Sequence, residues 1–437
     1  MKSSSPVTPF SCQVDEAFDH PNLTAVGGAN LFVDLLRRLG FRRHFERLPF
    51  QKSAYATFSL ADELETLVTI YALGCERVVH VDELEHDPLL CLKLGLNKLP
   101  HHNTLYRALD RFNDESRVLA LAQINDHVIA GLVEPLEYSI LDLDTTVETV
   151  YGSQQGSCVS YNPRNHGRPS YQPLLAFEGH SRVAVQVELR HGHPPDADAK
   201  IAFYQKAKER LDRHAPVRFV RADRGFTSEE FLARLESDQV KYTLKLRMTP
   251  RLYDQLDHGV LWRRLPSHET VHIEVGTVSF RAGKWSRRRR VVLVRTRFVD
   301  ESQPALFANL CWDYQAIVTN LDWDPEDIWH FYNHRCTSEL VIKELKHGLN
   351  IDAISKADFW PNAADLWLKS LAYNVLLHLK QHLPAPYHAF SVARLCRVLL
   401  RVPAVLVRHA RRWRLRLPQH WPHQEAWKYL RQSLAAT

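Results

Sequence analysis

The stretch S-I-L-D-L-D-T-T, residues 139–146, decides how this chain reads. Up to about residue 135 the apolar residues recur at helical spacing, as in A-N-L-F-V-D-L-L-R-R-L-G-F, where Leu31, Leu35, Leu36 and Leu39 share a face and Gly40 is a stop. From Tyr138 the pattern becomes that of a strand. P-L-L-A-F-E-G (173–179) and V-A-V-Q-V-E-L (183–189) follow as two more, the last alternating Val183, Val185, Val187 and Leu189. Three strands with short links predict an antiparallel meander.

A helix over 199–213 comes next, then the strand V-R-F-V-R-A-D ending at Asp223. A helix opened by the pair Thr227 and Glu230 and the strand V-K-Y-T-L-K-L complete the series. Strand, strand, strand, helix, strand, helix, strand is the order of an RNase H-like core, an α/β fold with a mixed five-stranded sheet and flanking helices. Such a core needs a closing helix. Between Met248 and about Asn320 the chain instead offers the strand-like runs V-H-I-E-V-G-T-V-S-F, R-V-V-L-V-R-T-R-F-V and A-I-V-T-N-L. These predict a β-rich insertion just before that helix.

The closing helix is predicted from Asp324 and Pro325 to Gly348 and includes F-Y-N-H-R-C-T-S-E-L-V-I-K-E-L-K-H-G (331–348). At about 100° per residue, Tyr332, Arg335, Glu339 and Lys346 fall within roughly one 60° sector. One stripe thus presents an aromatic hydroxyl, two cations and a carboxylate. Asp144 ends the first core strand and Asp223 the fourth. In an RNase H-like sheet these strands are neighbours, and the closing helix can bring Glu339 to them. Three converging carboxylates repel unless divalent cations neutralise them, and hard oxygen ligands select Mg²⁺ or Mn²⁺. Two such ions about 4 Å apart support in-line displacement at phosphorus, the chemistry of nucleic-acid cleavage and strand transfer. Arg335 and Lys346 would then hold flanking phosphates, and Tyr332 would bond a phosphate or stack on a base. Asp142, on the same strand face as Asp144, is a rival first ligand, with a supporting role behind the ligands favoured.

At these residues the chain resembles the DDE transposases of bacterial insertion sequences, in the branch with a Y-x2-R-x3-E-x6-K signature. Four blocks carry the likeness to the transposase DDE domain group 1 family. They are L-D-L-D-T-T from Leu141, Y-N-P-R-N-H-G-R-P-S-Y-Q-P-L-L-A-F-E-G from Tyr161, R-A-D-R-G-F from Arg221 and I-K-E-L-K-H-G-L-N from Ile342. D-E-L-E-H-D-P-L-L and N-T-L-Y-R extend it towards the N-terminus. The resemblance implies Asp144, Asp223 and Glu339 as catalytic and metal-binding acids holding two Mg²⁺ ions, with Mn²⁺ as substitute. It implies Tyr332, Arg335 and Lys346 as DNA contacts. It also implies a homodimer that pairs the inverted repeats at the ends of double-stranded element DNA, cuts the element out and inserts it into target DNA in the bacterial nucleoid. A metal-dependent nuclease or resolvase on the same fold, and a catalytically silent DNA-binding relative, are the alternatives.

The rest of the sequence sets bounds. The 437 residues predict several units: a helical DNA-binding region over 1–135, the core's first part over 136–248, the insertion over 249–320, the closing helix and its successor over 321–385, and a basic region over 386–437. Within the first, L-P-H-H-N-T-L-Y-R-A-L-D-R-F reads as an amphipathic helix that could be the recognition helix of a helix-turn-helix. No apolar run spans a membrane and the N-terminus lacks a secretory pattern, so a cytoplasmic protein is expected. Seven scattered cysteines without a C-x-x-C pair predict reduced thiols. The net charge of +6 is uneven, with basic runs at Arg287–Arg290 and Arg408–Arg416, each near a tryptophan. Trp285 and Arg288 of the first run are candidate DNA contacts, with Trp262 competing for the wedge role. His101 with His102, and His191 with His193, lack a zinc-ligand spacing.

Overall fold

The structure is a computed structural model that describes residues 16–134, 136–256, 259–266, 271–298 and 312–436. The expected start of the N-terminal region (1–15), residues 299–311 of the expected insertion, and Cys12 and Cys311 lie outside the described residues. Cys75, Cys91, Cys158 and Cys396 are free thiols. No helix among the described residues is long and apolar enough to cross a membrane.

The longer helices of the front region are α1 (Ala29–Arg38), α2 (Leu60–Ala72), α3 (His102–Leu109) and α4 (Glu115–Val133). Leu105, Leu109 and Phe112 are buried as the amphipathic reading requires. The α3 cap is His101, whose Nδ1 accepts from the Asn103 N–H.

The sheet begins with β1 (Ser139–Thr145), β2 (Leu174–Glu178) and β3 (Ala184–Glu188), an antiparallel meander. After α5 (Ala197–Asp212), β4 (Val217–Ala222) lies parallel to β1, pairing Arg221 with Asp142. Helix α6 (Glu229–Ser237) follows, capped by Ser228 rather than Thr227, and β5 (Lys241–Leu246) runs parallel to β4. The inner strands are thus ordered β3-β2-β1-β4-β5.

The insertion's strands β6 (Arg263–Arg264), β7 (Val271–Phe280), β8 (Arg289–Phe298) and β9 (Asp313–Thr319) continue this sheet, because β9 pairs antiparallel with β5. The result is nine strands, β6-β7-β8-β9-β5-β4-β1-β2-β3. The edge that β5 would otherwise expose is covered, which removes a template for unwanted pairing.

Where one closing helix was predicted there are two, α7 (Pro325–Asn333) and α8 (Cys336–Gly348), with a break at His334 and Arg335. The run from Asn333 to Ser338 contains no strong helix former except Arg335, and the turn bonds Arg335 N–H to the Tyr332 carbonyl at 2.8 Å. The single 60° stripe is therefore interrupted.

Helix α9 (Phe359–Gln381) is buried along nearly its whole length against α2, α4 and β3. Its internal polar groups are satisfied: Asn374 accepts from Ala184 N–H at 2.9 Å and donates to the Ala184 carbonyl and Asn125 Oδ1, while Lys369 pairs with Asp365. The basic C-terminal region is an antiparallel hairpin, β10 (Ala404–His409) and β11 (Arg412–Arg416), followed by α10 (Gln424–Ala436).

Candidate active site

Two aspartates two residues apart on β1 face the same side of the sheet. Asp142 is fully buried and accepts two bonds from Arg221 on β4, Nε to Oδ1 at 2.6 Å and Nη2 to Oδ2 at 2.7 Å. The same guanidinium donates to the Phe331 carbonyl at 3.0 Å, tying β1 and β4 to α7. Gly179 makes room, because a Cβ there would meet Arg221 Nη2 at 2.8 Å. Asp142 is thus closed off by an arginine fork, consistent with a supporting role rather than a ligand's.

Asp144 lies at the end of β1. Its Oδ1 accepts from Thr145 N–H at 2.8 Å and its Oδ2 from Arg335 Nη2 at 2.6 Å. Burial pushes its carboxyl up to about 7; Arg335 pulls it down, while Asp223 and Glu339 push it further up. The three predicted acids therefore share one field. Asp223 follows β4, half-buried, with its Oδ1 accepting from Gly225 N–H at 2.9 Å. A Cβ on Gly225 would sit 3.0 Å from that oxygen, a tight contact that a larger residue would have to relieve by shifting the Asp223 side chain. Glu339 stands exposed on the first turn of α8, its Oε1 3.3 Å from Arg335 Nη1.

Arg335 thus stands between two of the acids. It is buried, its Nε has no partner, and it pairs with Asp144 where a phosphate contact was predicted. A buried carboxylate needs a counter-charge, and this guanidinium supplies it. The described residues contain one group of three Asp, Glu, His or Cys ligand atoms mutually within 4.8 Å; it is Asp82, His101 and His102, not the three acids. In that group Asp82 Oδ1 accepts from His102 N–H at 3.1 Å, Oδ2 contacts His102 Nδ1, and His101 Nε2 lies 3.6 Å from Oδ2.

Asp223, Tyr332, Arg335 and Glu339 line a cavity of about 390 Å³ with Arg224 and Lys245. A second cleft of about 750 Å³ shares Asp223 and Arg224 and is walled by Arg164, Lys200, Arg247 and Lys346. Two of the three acids, Asp223 and Glu339, thus line cavities with cationic walls, and Asp144 lies behind them against Arg335. The sequence reading missed Lys200 and Arg247, which carry no motif, whereas Arg164 lies within the block from Tyr161.

Tyr332 is buried, and burial pushes its hydroxyl up to about 12. It borders the cavity but packs with Ile328 and Val292. Lys346 donates to the Val147 carbonyl at 3.2 Å, and burial lowers its pKa against the pull of Glu148. Glu148 is itself fully buried with no hydrogen-bond partner on either oxygen, and burial raises it.

Trp285, expected at DNA, is 3% exposed. It packs edge-on against Phe280, lies under the Arg289 guanidinium and donates to the Thr227 carbonyl at 3.3 Å. It is a core residue that fastens the insertion to α6, and the wedge reading is corrected accordingly. Arg288 is exposed but donates to the Ser279 carbonyl of its own hairpin at 2.8 Å. Trp262, the rival, stacks under Arg295.

Comparison with known proteins gives one family. Residues 8–437 match the model of transposase DDE domain group 1. No curated protein matches the chain. Among solved structures, the piggyBac transposase synaptic complex with hairpin DNA is similar at 13% identity and a TM-score of 0.42, over 86% of this chain and 81% of that one. The Drosophila P element transposase strand transfer complex is similar at 13% identity and a TM-score of 0.24, over 47% of this chain and 41% of that one.

Proposed function

The chain belongs to the transposase DDE domain group 1 family and is a DNA transposase; from that premise we propose that Asp144, Asp223 and Glu339 hold two Mg²⁺ ions, replaceable by Mn²⁺, and that the enzyme cuts and rejoins the inverted-repeat ends of its own insertion sequence as a homodimer. The inner strand order, with β1, β4 and β5 parallel, is read as an RNase H-like core.

The observation that carries this reading is the placement of the acids. Asp144 and Asp223 end two neighbouring parallel strands, and Glu339 reaches towards them through Arg335. Carboxylate oxygens alone form the donor set, which fits hard divalent cations. When bound, the ions would supply Lewis-acid activation of the nucleophile and stabilisation of the leaving oxygen.

The chain's own residues position the substrate. The cationic walls formed by Arg164, Lys200, Arg247 and Lys346 hold phosphates on either side of the scissile one. Arg335 balances Asp144 in the resting protein and turns to a DNA phosphate once the acid has another counter-charge. In cleavage, water attacks phosphorus and the P–O3′ bond breaks, leaving a 3′-hydroxyl on the element. In strand transfer that hydroxyl attacks a target phosphodiester, one P–O bond forming as another breaks, so no external energy source is required.

The test is nicking and joining of end DNA by the purified protein with Mg²⁺, beside Asp144→Asn, Asp223→Asn and Glu339→Gln. Loss of cutting with retained DNA binding in all three is expected. A variant that cuts at the unaltered rate removes its residue from the scheme. Cutting without joining by the unaltered protein would favour a nuclease.

A further inference from the structure

The two basic runs have different fates. In the first, Arg289 is buried between Glu229 and Glu236 at 2.6 and 2.8 Å, Arg287 pairs with Glu236, and Arg290 donates to the Leu321 carbonyl. Exposed Arg288 donates to the Ser279 carbonyl, so each of the four arginines has a partner within the molecule. In the second, Arg408, Arg411, Arg412, Arg414 and Arg416 are all exposed, and no carboxylate among the described residues pairs with any of them.

The second run sits on a hairpin anchored to the core. Leu406 is buried and lies opposite Leu415, fixing one face of the β10–β11 hairpin to the core. The short strand Leu23–Thr24 pairs with β10 on its other side. A two-residue turn at Ala410 and Arg411 closes the hairpin with φ of 47° and 63°, values that favour glycine, yet an arginine occupies the tip.

Alternation then puts Arg412, Arg414 and Arg416 on the outer face, opposite His409, Val407 and Val405, at a repeat of about 6.8 Å. Exposed Trp413 pairs with Arg408 on the other face, the Arg408 guanidinium 5.9 Å from its ring. Like charges this close repel unless a polyanion neutralises them.

Resting on the transposase reading above, we infer that this hairpin is a second DNA grip, contacting the phosphate backbone of duplex DNA apart from the sheet that carries the acids. Three guanidiniums in a row on a fixed strand suit a regular phosphate array, and this enzyme must hold DNA beyond its cleavage point.

The experiment measures binding of the full-length protein to element-end duplex as a function of KCl concentration. Arg412, Arg414 and Arg416 are replaced together by alanine, and separately by lysine. The alanine variant is expected to lower the slope of log K against log salt by about 2–3, at roughly 0.9 per lost phosphate contact, with the lysine variant restoring most of it. An alanine variant with the unaltered slope, when the unaltered protein binds and nicks the DNA, overturns the hairpin and leaves the transposase reading standing. Absence of any DNA binding by the unaltered protein overturns both. Should the alanine variant not fold, phenylglyoxal modification of the unaltered protein decides: DNA is expected to shield these arginines, and equal labelling with and without DNA overturns the inference. Loss of binding to phosphatidylserine vesicles without any change on DNA overturns it as well.

Discussion

Asp142 and Asp144 sit two residues apart on one strand, each against an arginine, yet the surroundings give them opposite fates. Asp142 is gripped by both arms of Arg221 in the sheet's interior, so nothing else can reach it. Asp144 receives a single guanidinium bond at the strand's open end, where Asp223 and Glu339 contribute repulsion. A bidentate, fully enclosed pair stabilises a particular packing; a monodentate one beside further acids leaves a carboxylate that can change partner. Residue type and periodicity are alike at the two positions. What separates them is the distance to the end of the strand.

The sharpest way to break this comparison is to neutralise each aspartate. Asp144→Asn is expected to reduce end-DNA nicking by about 10³-fold or more, corresponding to about 4 kcal/mol of transition-state stabilisation, with the thermal midpoint nearly unchanged. Nicking kinetics beside a melting curve checks both halves, and comparable activity in the variant would make Asp144 as structural as its neighbour.

Arg221→Met attacks the other side. It strands Asp142 in the interior and is expected to destabilise the fold by about 3–5 kcal/mol in urea unfolding. A loss below about 1 kcal/mol would contradict the claim that this pair locks β1, β4 and α7 together.

Arg335→Ala should lie between these extremes. Asp144, already raised to about 7 by burial, can take up a proton when its counter-charge is removed, so a loss of about 1–2 kcal/mol is expected. The salt slope of end-DNA binding should fall by about 1 if Arg335 turns to a phosphate. An unchanged slope would confine Arg335 to charge balance.

An effect of similar size, but pH-dependent, comes from a locked pair nearer the surface. The Arg289 guanidinium beside Glu229 holds that carboxyl down at about 2. A depressed acid adds stability that is present above its unfolded pKa of 4.5 and is lost as pH falls from 4.5 through about 2. Glu229→Gln should therefore cost about 1–2 kcal/mol at pH 7, after solvent screening, with the difference from the unaltered protein shrinking below pH 4.5. A pH-independent difference would mean that packing, not charge, fastens the insertion to α6.

Much of this architecture was readable from residue order. The meander and the strand-rich segment before Glu339 follow from alternating apolar residues and turn positions, and the neighbouring of the strands that end at Asp144 and Asp223 follows from the RNase H-like order of the elements. The break at His334 and Arg335 was not, because no proline or glycine marks it. Nor was the burial of Trp285, since an amphipathic aromatic beside arginines reads alike whether those arginines meet Glu229 and Glu236 or a phosphate. The β10–β11 hairpin escaped because Ala410 and Arg411, rather than Asn and Gly, make its turn. The insertion's place in the main sheet depends on long-range pairing of β9 with β5, which local sequence does not encode.

The most direct test is anomalous diffraction from crystals of the protein with uncleaved end DNA and Mn²⁺. The account predicts two peaks about 4 Å apart, ligated by Asp144, Asp223 and Glu339, with Asp142 still held by Arg221 and Arg335 moved onto a phosphate. Peaks on Asp142 or at the Asp82–His101–His102 group, with none between the three acids, would contradict it.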